Sequence, residues 1–247
     1  MNFLSAMGLD WYYLVLVLPA VILSMIASSM VKSRFNQYDK VRSKKNISGA
    51  QAAKILMDAN EIDNVQITHI SGTLTDNYNS GNKTLNLSDA TYSSTSIAAV
   101  GVAAHETGHA IQDKKNYGPL GLRHSLYPIA NIGSRFGPTL AILGILFGAG
   151  SLGSGSGLTA FASLMTKVGI VLYLGAVAFY LVTLPVEFNA SSRALKILKE
   201  TETLDAEELE GVKKVLWAAA MTYVASALTA LGSLFRLILL SRRNNRR

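Results

Sequence analysis

The run Trp11–Val31 constrains this chain more than any other feature. It holds 21 consecutive residues without a charge, enough for a helix to cross a hydrocarbon core of ~30 Å. A secretory signal would carry its positive charges ahead of the apolar run. Here only Asp10 is charged ahead of it, and Lys32, Arg34, Lys40, Arg42, Lys44 and Lys45 follow. The pattern predicts a retained span with its amino end outside and the next segment in the cytoplasm. Trp11, Tyr12 and Tyr13 suit the outer interface, and Pro19 is tolerable inside a membrane helix. With no cysteine in the chain, disulfide frameworks, iron–sulfur clusters and Cys-type zinc sites are excluded. A tightly held transition metal must sit on His, Asp or Glu. The formal charge of +7 fits cytoplasmic loops of a membrane protein, and no nucleic-acid partner is expected.

Five segments follow from the pattern. Residues 1–32 form the amino-terminal transmembrane helix, and residues 33–125 a cytoplasmic α+β portion. In the latter, Ser48 caps a helix through about Ala59, with Ala52, Ile55, Leu56 and Ala59 on one face. Strands are expected at Val65–Ile70, Leu74–Tyr78 and Thr84–Leu87, the last two joined by a turn at Asn79–Asn82. A long helix should run from Ser93 to Lys114, apolar nearly all round at Ile97–Ala104 and therefore buried. Residues 126–184 read as a transmembrane hairpin, with spans near Arg135–Ala149 and Leu158–Leu184 and a Gly/Ser connector at Gly150–Gly157. Lys167 must snorkel or face protein. Pro185 should end the second span. Residues 185–217 form a cytoplasmic helical segment in which Asp205 and Glu208 have capping-box spacing.

The last segment, 218–247, is a hydrophobic helix with a basic tail of Arg242, Arg243, Arg246 and Arg247. The topology rules conflict there. If the first block and the hairpin all cross, a further crossing puts those arginines outside. The stretch is then re-entrant or interfacial, or one earlier block does not cross; Arg236 within it argues against a simple span.

The chemistry concentrates at Ala103-Ala104-His105-Glu106-Thr107-Gly108-His109-Ala110. Positions i and i+4 share a helix face, so His105 and His109 can reach one Zn²⁺. Glu106 lies beside the first of them, placed to take a proton from metal-activated water. Catalytic zinc usually has three protein ligands. Downstream histidine is limited to His124, and the alternative is a glutamate on a second helix. Glu187 stands out, since two crossings separate it from His109 and return it to the same side. For an oxyanion donor, Arg193 is favoured over His124 and Tyr127. His69, inside a strand, reads as solvated or satisfied, and Asp76 and Asp89 as turn and cap residues.

Helix-borne His-Glu-x-Gly-His, followed by Glu-Phe-x-Ala after a transmembrane hairpin, resembles the integral-membrane gluzincin peptidases. It is most similar to the bacterial YugP-like neutral zinc metallopeptidases. Leu74–Tyr78, Pro128–Ser134 and the basic tail belong to the same likeness. The resemblance implies a mainly α-helical multi-pass membrane protein with a small α+β gluzincin-like zinc-peptidase domain. It implies one zinc per chain on His105, His109 and Glu187, with Glu106 as catalytic base and a peptide or protein as substrate. The wider group often reads Glu-x-x-Ala-Asp, and Ser191 stands where that Asp would be. Gluzincins also hold an edge strand before the zinc helix, which would make Thr84–Leu87 the strand to pair with extended substrate. The expected function is a membrane-embedded zinc endopeptidase in the cell membrane, its active site on the cytoplasmic side. The alternative is a catalytically inactive zinc-binding scaffold or quality-control partner, favoured by the missing Asp at 191. The sequence sets no oligomeric state.

Overall fold

The computed structural model describes residues 10–150 and 156–244. Its elements are helices α1 (Leu18–Tyr38) and α2 (Gly49–Asp58), strands β1 (Gln66–Ile70), β2 (Asn77–Asn79) and β3 (Thr84–Ser88), and helices α3 (Ile97–Lys114), α4 (Gly118–Gly150), α5 (Ser156–Glu200) and α6 (Ala206–Asn244). Among the described residues the protein is mostly helical with one small sheet. Four of the helical stretches are long and apolar enough to cross a membrane: Tyr13–Tyr38, Gly118–Ala149, Gly157–Glu200 and Ala206–Arg243. Of the connector expected at Gly150–Gly157, Gly150, Ser156 and Gly157 lie in helix ends, and residues 151–155 lie outside the described residues, as do Arg246 and Arg247.

The described chain forms two compact units. One takes the chain up to Met25, Leu122–Thr183 and the chain from Tyr223 on. Pro19, the second residue of α1, has no N–H for the carbonyl of Val15, and a wide π turn over Tyr13–Val17 precedes the helix. Helices α4 and α5 pack through small residues: a Cβ on Gly137 would sit 2.9 Å from the carbonyl oxygen of Gly169. Such close approach is how helices associate where lipid gives no hydrophobic drive. Ala130, Ala141, Tyr173, Ala176, Val177, Ala230, Leu234 and Leu237 form the core of this unit, while Ile129, Phe147 and Val171 stay exposed. Lys167 is exposed and can snorkel.

Helix α6 is unbroken over 39 residues, which is not the form of a re-entrant segment. Arg236 within it is satisfied by protein. Its guanidinium bonds Asp10 at 2.7 and 2.8 Å and lies 5.4 Å from the ring centroid of Tyr13. Both charged side chains are mostly buried. An ion pair of this kind holds its partners in register more than it adds stability, because removing either one costs about 3–5 kcal/mol while desolvating both is expensive.

The second unit comprises Ile26–Gly121 and Leu184–Thr222. Ser48 accepts from Gln51 N–H while the Gln51 side chain accepts from Ser48 N–H, so the expected cap is a full capping box. The buried face of α2 is Ala52, Ala53, Leu56 and Met57; Ala59 is exposed. The sheet order is β1-β3-β2, with β1 parallel and β2 antiparallel to β3. Strand β2 begins only at Asn77, because Leu74 sits in the left-handed region (φ 58°), which no strand residue adopts. The turn at Asn79–Asn82 forms, Asn79 Oδ1 accepting from Gly81 N–H at 2.9 Å.

Two expectations are corrected here. Strand β3 is central, so it is not the edge strand expected at Thr84–Leu87; β2 and β1 are the edges. Pro185 does not end a helix, since α5 runs on to Glu200. One lost N–H bond is outweighed by burial just beyond it, where Ala194, Ile197 and Leu198 join Val100, Ala104 and Ile111 of α3 in one core cluster. As expected, α3 is buried nearly all round from Ile97 to Ala104. The capping box at Asp205 and Glu208 also forms, with reciprocal bonds of 2.8 and 2.9 Å. The turn between α5 and α6 precedes it, passing through Glu202 at φ 50°.

Candidate metal centre

Helix α3 carries His105, Glu106 and His109; α5 carries Glu187 and Ser191. The two helices touch at Gly108, where a Cβ would come 2.5 Å from the Ala190 carbonyl oxygen. Any side chain there forces the helices apart, and the approach brings the carboxylate of α5 onto both imidazoles of α3. Glu187 Oε2 lies 3.2 Å from His105 Nε2 and 3.5 Å from His109 Nε2. The rings meet edge to face at 4.9 Å. One donor atom from each of the three residues lies within 4.8 Å of the others, and Glu187 is only 2% exposed.

Both imidazoles are oriented from behind. His105 Nδ1 lies 3.1 Å from the hydroxyl of Ser191, the residue that stands where the wider group often has Asp. His109 Nδ1 lies 3.0 Å from Gln112 Oε1. The buried amide of Gln112 cannot turn round, because its Nε2 donates to the Val186 carbonyl at 2.8 Å and to Asn189 Oδ1 at 3.0 Å. Its Oε1 can only accept, so His109 carries hydrogen on Nδ1, and Nε2, which faces Glu187, is the atom left to bond a metal when the ring is neutral. Asn189 is itself held by Arg193, whose Nε donates to Oδ1 at 2.7 Å and whose guanidinium lies 5.8 Å from the Tyr117 ring centroid. Spacing could have revealed Gln112, which sits three residues after His109 on the same face. Asn189 is non-local to α3 and had no such signal toward the histidines, although Arg193 follows it four residues on along α5.

Glu106 is not among the three clustered donors. Its Oε2 accepts from the backbone N–H of Tyr78 on β2 at 2.9 Å. Burial pushes its carboxyl above the usual range, against the opposing pull of His105 and His109. Burial alone would lower His109; the bond to Glu187 and the Glu106 and Glu187 charges outweigh it, and the imidazole is raised. The remaining candidates lie elsewhere. His69 pairs with Asp89 at 2.7 Å, and Asp89 also accepts from Gly72 N–H. Asp76 holds Ser88 by two bonds. His124 and Tyr127 are exposed on α4.

The donor set fits zinc. Two neutral imidazoles with Nδ1 engaged and one buried carboxylate form the nitrogen and oxygen set of open catalytic sites. The chain belongs to the family described as "Putative neutral zinc metallopeptidase", whose model matches residues 13–242. A relative, "Putative membrane protease YugP" of Bacillus subtilis (strain 168), is 40% identical over 228 residues, covering 92% of this chain and 96% of that protein. No solved structure matches the chain.

Proposed function

We propose that this chain is a membrane-embedded zinc endopeptidase whose active site faces the cytoplasm. The observation that carries the reading is the convergence of His105, His109 and Glu187 donor atoms within 4.8 Å, beside a Glu106 that is not needed as a ligand. Membership of a zinc metallopeptidase family supports it. The cytoplasmic assignment rests on the basic residues that follow the first apolar run.

His105, His109 and Glu187 would hold the metal. Zinc, when bound, supplies Lewis acidity that brings a water pKa to about 7 and polarises a carbonyl. Glu106 receives the proton from the attacking water and delivers it to the departing amine, its carboxylate held by Tyr78 N–H. Ser191 and Gln112 keep both Nε2 lone pairs aimed at the metal position. Arg193 fixes Asn189 through Nε, and its remaining N–H groups are the donors offered to the oxyanion. The substrate is an extended protein segment, which reaches the site unfolded.

Chelation tests the reading directly. The detergent-purified chain should cleave an unfolded reporter protein, lose that activity to a zinc chelator, and regain it with one equivalent of Zn²⁺ per chain. Cleavage that survives complete zinc removal would sink the proposal. A second outcome concerns Gln112. Gln112→Met, close in volume, removes the acceptor behind His109 and should weaken zinc binding by about 10–100-fold. Competition against a fluorescent chelator measures this, and an unchanged affinity would show that the Gln112 contact does not orient the ligand.

A further inference from the structure

Far along the chain from the zinc cluster, the second unit holds a cavity of about 180 Å³ lined by Met30 and Arg34 of α1 and by Glu210, Lys213, Lys214 and Trp217 of α6. Three cations face one carboxylate there. Glu210 is engaged by Lys213 at 3.3 Å and Arg34 Nη1 donates to Gln37 at 2.9 Å. Lys214 is exposed and pairs with no carboxylate among the described residues. Trp217 is 56% exposed. On α6, Lys213 and Lys214 lie four and three residues before Trp217, so all three share one face with Glu210. On α1, Met30 and Arg34 are one turn apart on the same face.

The register of these residues along their helices is what identifies the ligand. On α1 the large exposed side chains before Met30 are apolar, Ile22, Leu23, Met25 and Ile26, and the charged residues begin at Lys32. On α6 the order is mirrored, with charged residues up to Lys214 and an apolar run from Ala218. Both helices thus place the cavity in the turn where apolar surface gives way to charge, which is headgroup depth for a helix in a bilayer. An exposed indole at that depth is amphipathic in the right sense. A soluble anion would need only the cations; Met30 and Trp217 give the cavity an apolar wall as well.

We propose that this cavity binds the headgroup of an anionic phospholipid, with the phosphate diester against Arg34 and Lys214 and the root of the acyl chains along Met30 and Trp217. The inference stands apart from the catalytic reading, since none of these residues belongs to the zinc cluster or to its orienting contacts. Its effect is to fix the depth at which α1 and α6 enter the membrane through a particular lipid as well as through apolar surface.

Tryptophan quenching tests it. The chain has two tryptophans, Trp11 and Trp217, so Trp11→Phe leaves Trp217 as the sole reporter. That variant is reconstituted in phosphatidylcholine vesicles containing a minor fraction of either brominated phosphatidylglycerol or brominated phosphatidylcholine. Brominated phosphatidylglycerol should reach Trp217 with a preference of roughly tenfold, the expectation for one to two cations acting on an anionic lipid. Adding Arg34→Gln and Lys214→Gln, both at exposed positions, should bring the two lipids within about twofold of each other. Equal quenching by the two lipids without those substitutions would reduce the cavity to ordinary bilayer contact and overturn the proposal. A preference that survives both substitutions would overturn it as well, because the attraction would then be diffuse. Relief of the phosphatidylglycerol quenching by inorganic phosphate at constant ionic strength would reassign the cavity to a small soluble anion.

Discussion

Glu106→Gln should abolish cleavage of an unfolded reporter while leaving one zinc per chain. The two results separate because Glu106 and the metal donors are distinct groups. The amide of glutamine still accepts from Tyr78 N–H through its oxygen, so the local geometry around β2 is kept. It has no lone-pair base able to take a proton from water, and general-base assistance is typically worth about 10²–10⁴-fold in rate. Loss of that order in kcat, with zinc content and thermal stability unchanged, assigns the base. Cleavage retained within a few fold would end the assignment of Glu106. Loss of zinc together with activity would instead mean that Glu106 helps hold the metal, contrary to its absence from the clustered donors.

What the sequence made legible divides by range of interaction. His105, Glu106 and His109 were readable because helix periodicity is local: the i and i+4 spacing defines a face without knowledge of anything else. Ser48 with Gln51 and Asp205 with Glu208 were readable for the same reason. Glu187 is 82 positions from His105, so no local spacing marks it; the crossing count and the family resemblance pointed to it, and the structure brings its carboxylate to both histidines. The pairing order of the strands carries no such local mark. Thr84–Ser88 alternates equally well as an edge or a centre, and what decides is that β1 and β2 both pair with it. Pro185 was misread because the rule against proline is a statement about one hydrogen bond, and the burial of Ala194, Ile197 and Leu198 outweighs it. Arg236 argued against a simple span because its partner, Asp10, is 226 residues away and invisible to local reading.

The other large effect is expected at Glu187. Glu187→Ala should lower zinc affinity by more than about 100-fold, since even removing a partner that merely orients a ligand costs 10–100-fold. Cleavage should disappear with the metal, so activity alone cannot distinguish this variant from Glu106→Gln; zinc per chain after dialysis does. The structure adds a second consequence. Glu187 Oε2 faces both Nε2 atoms, and truncation takes that partner from the buried His109 and the partly buried His105, at a cost of roughly 1–3 kcal/mol. Glu187→Gln keeps the volume and an acceptor oxygen but gives up the negative charge, so it should fold more stably than the alanine variant while still binding zinc weakly. Full zinc occupancy in Glu187→Ala, at the affinity of the unaltered chain, would remove Glu187 from the donor set. The close contact of Gly108 with Ala190 would then be a packing contact that happens to pass beside two histidines, and the third donor would have to come from some other residue that approaches α3.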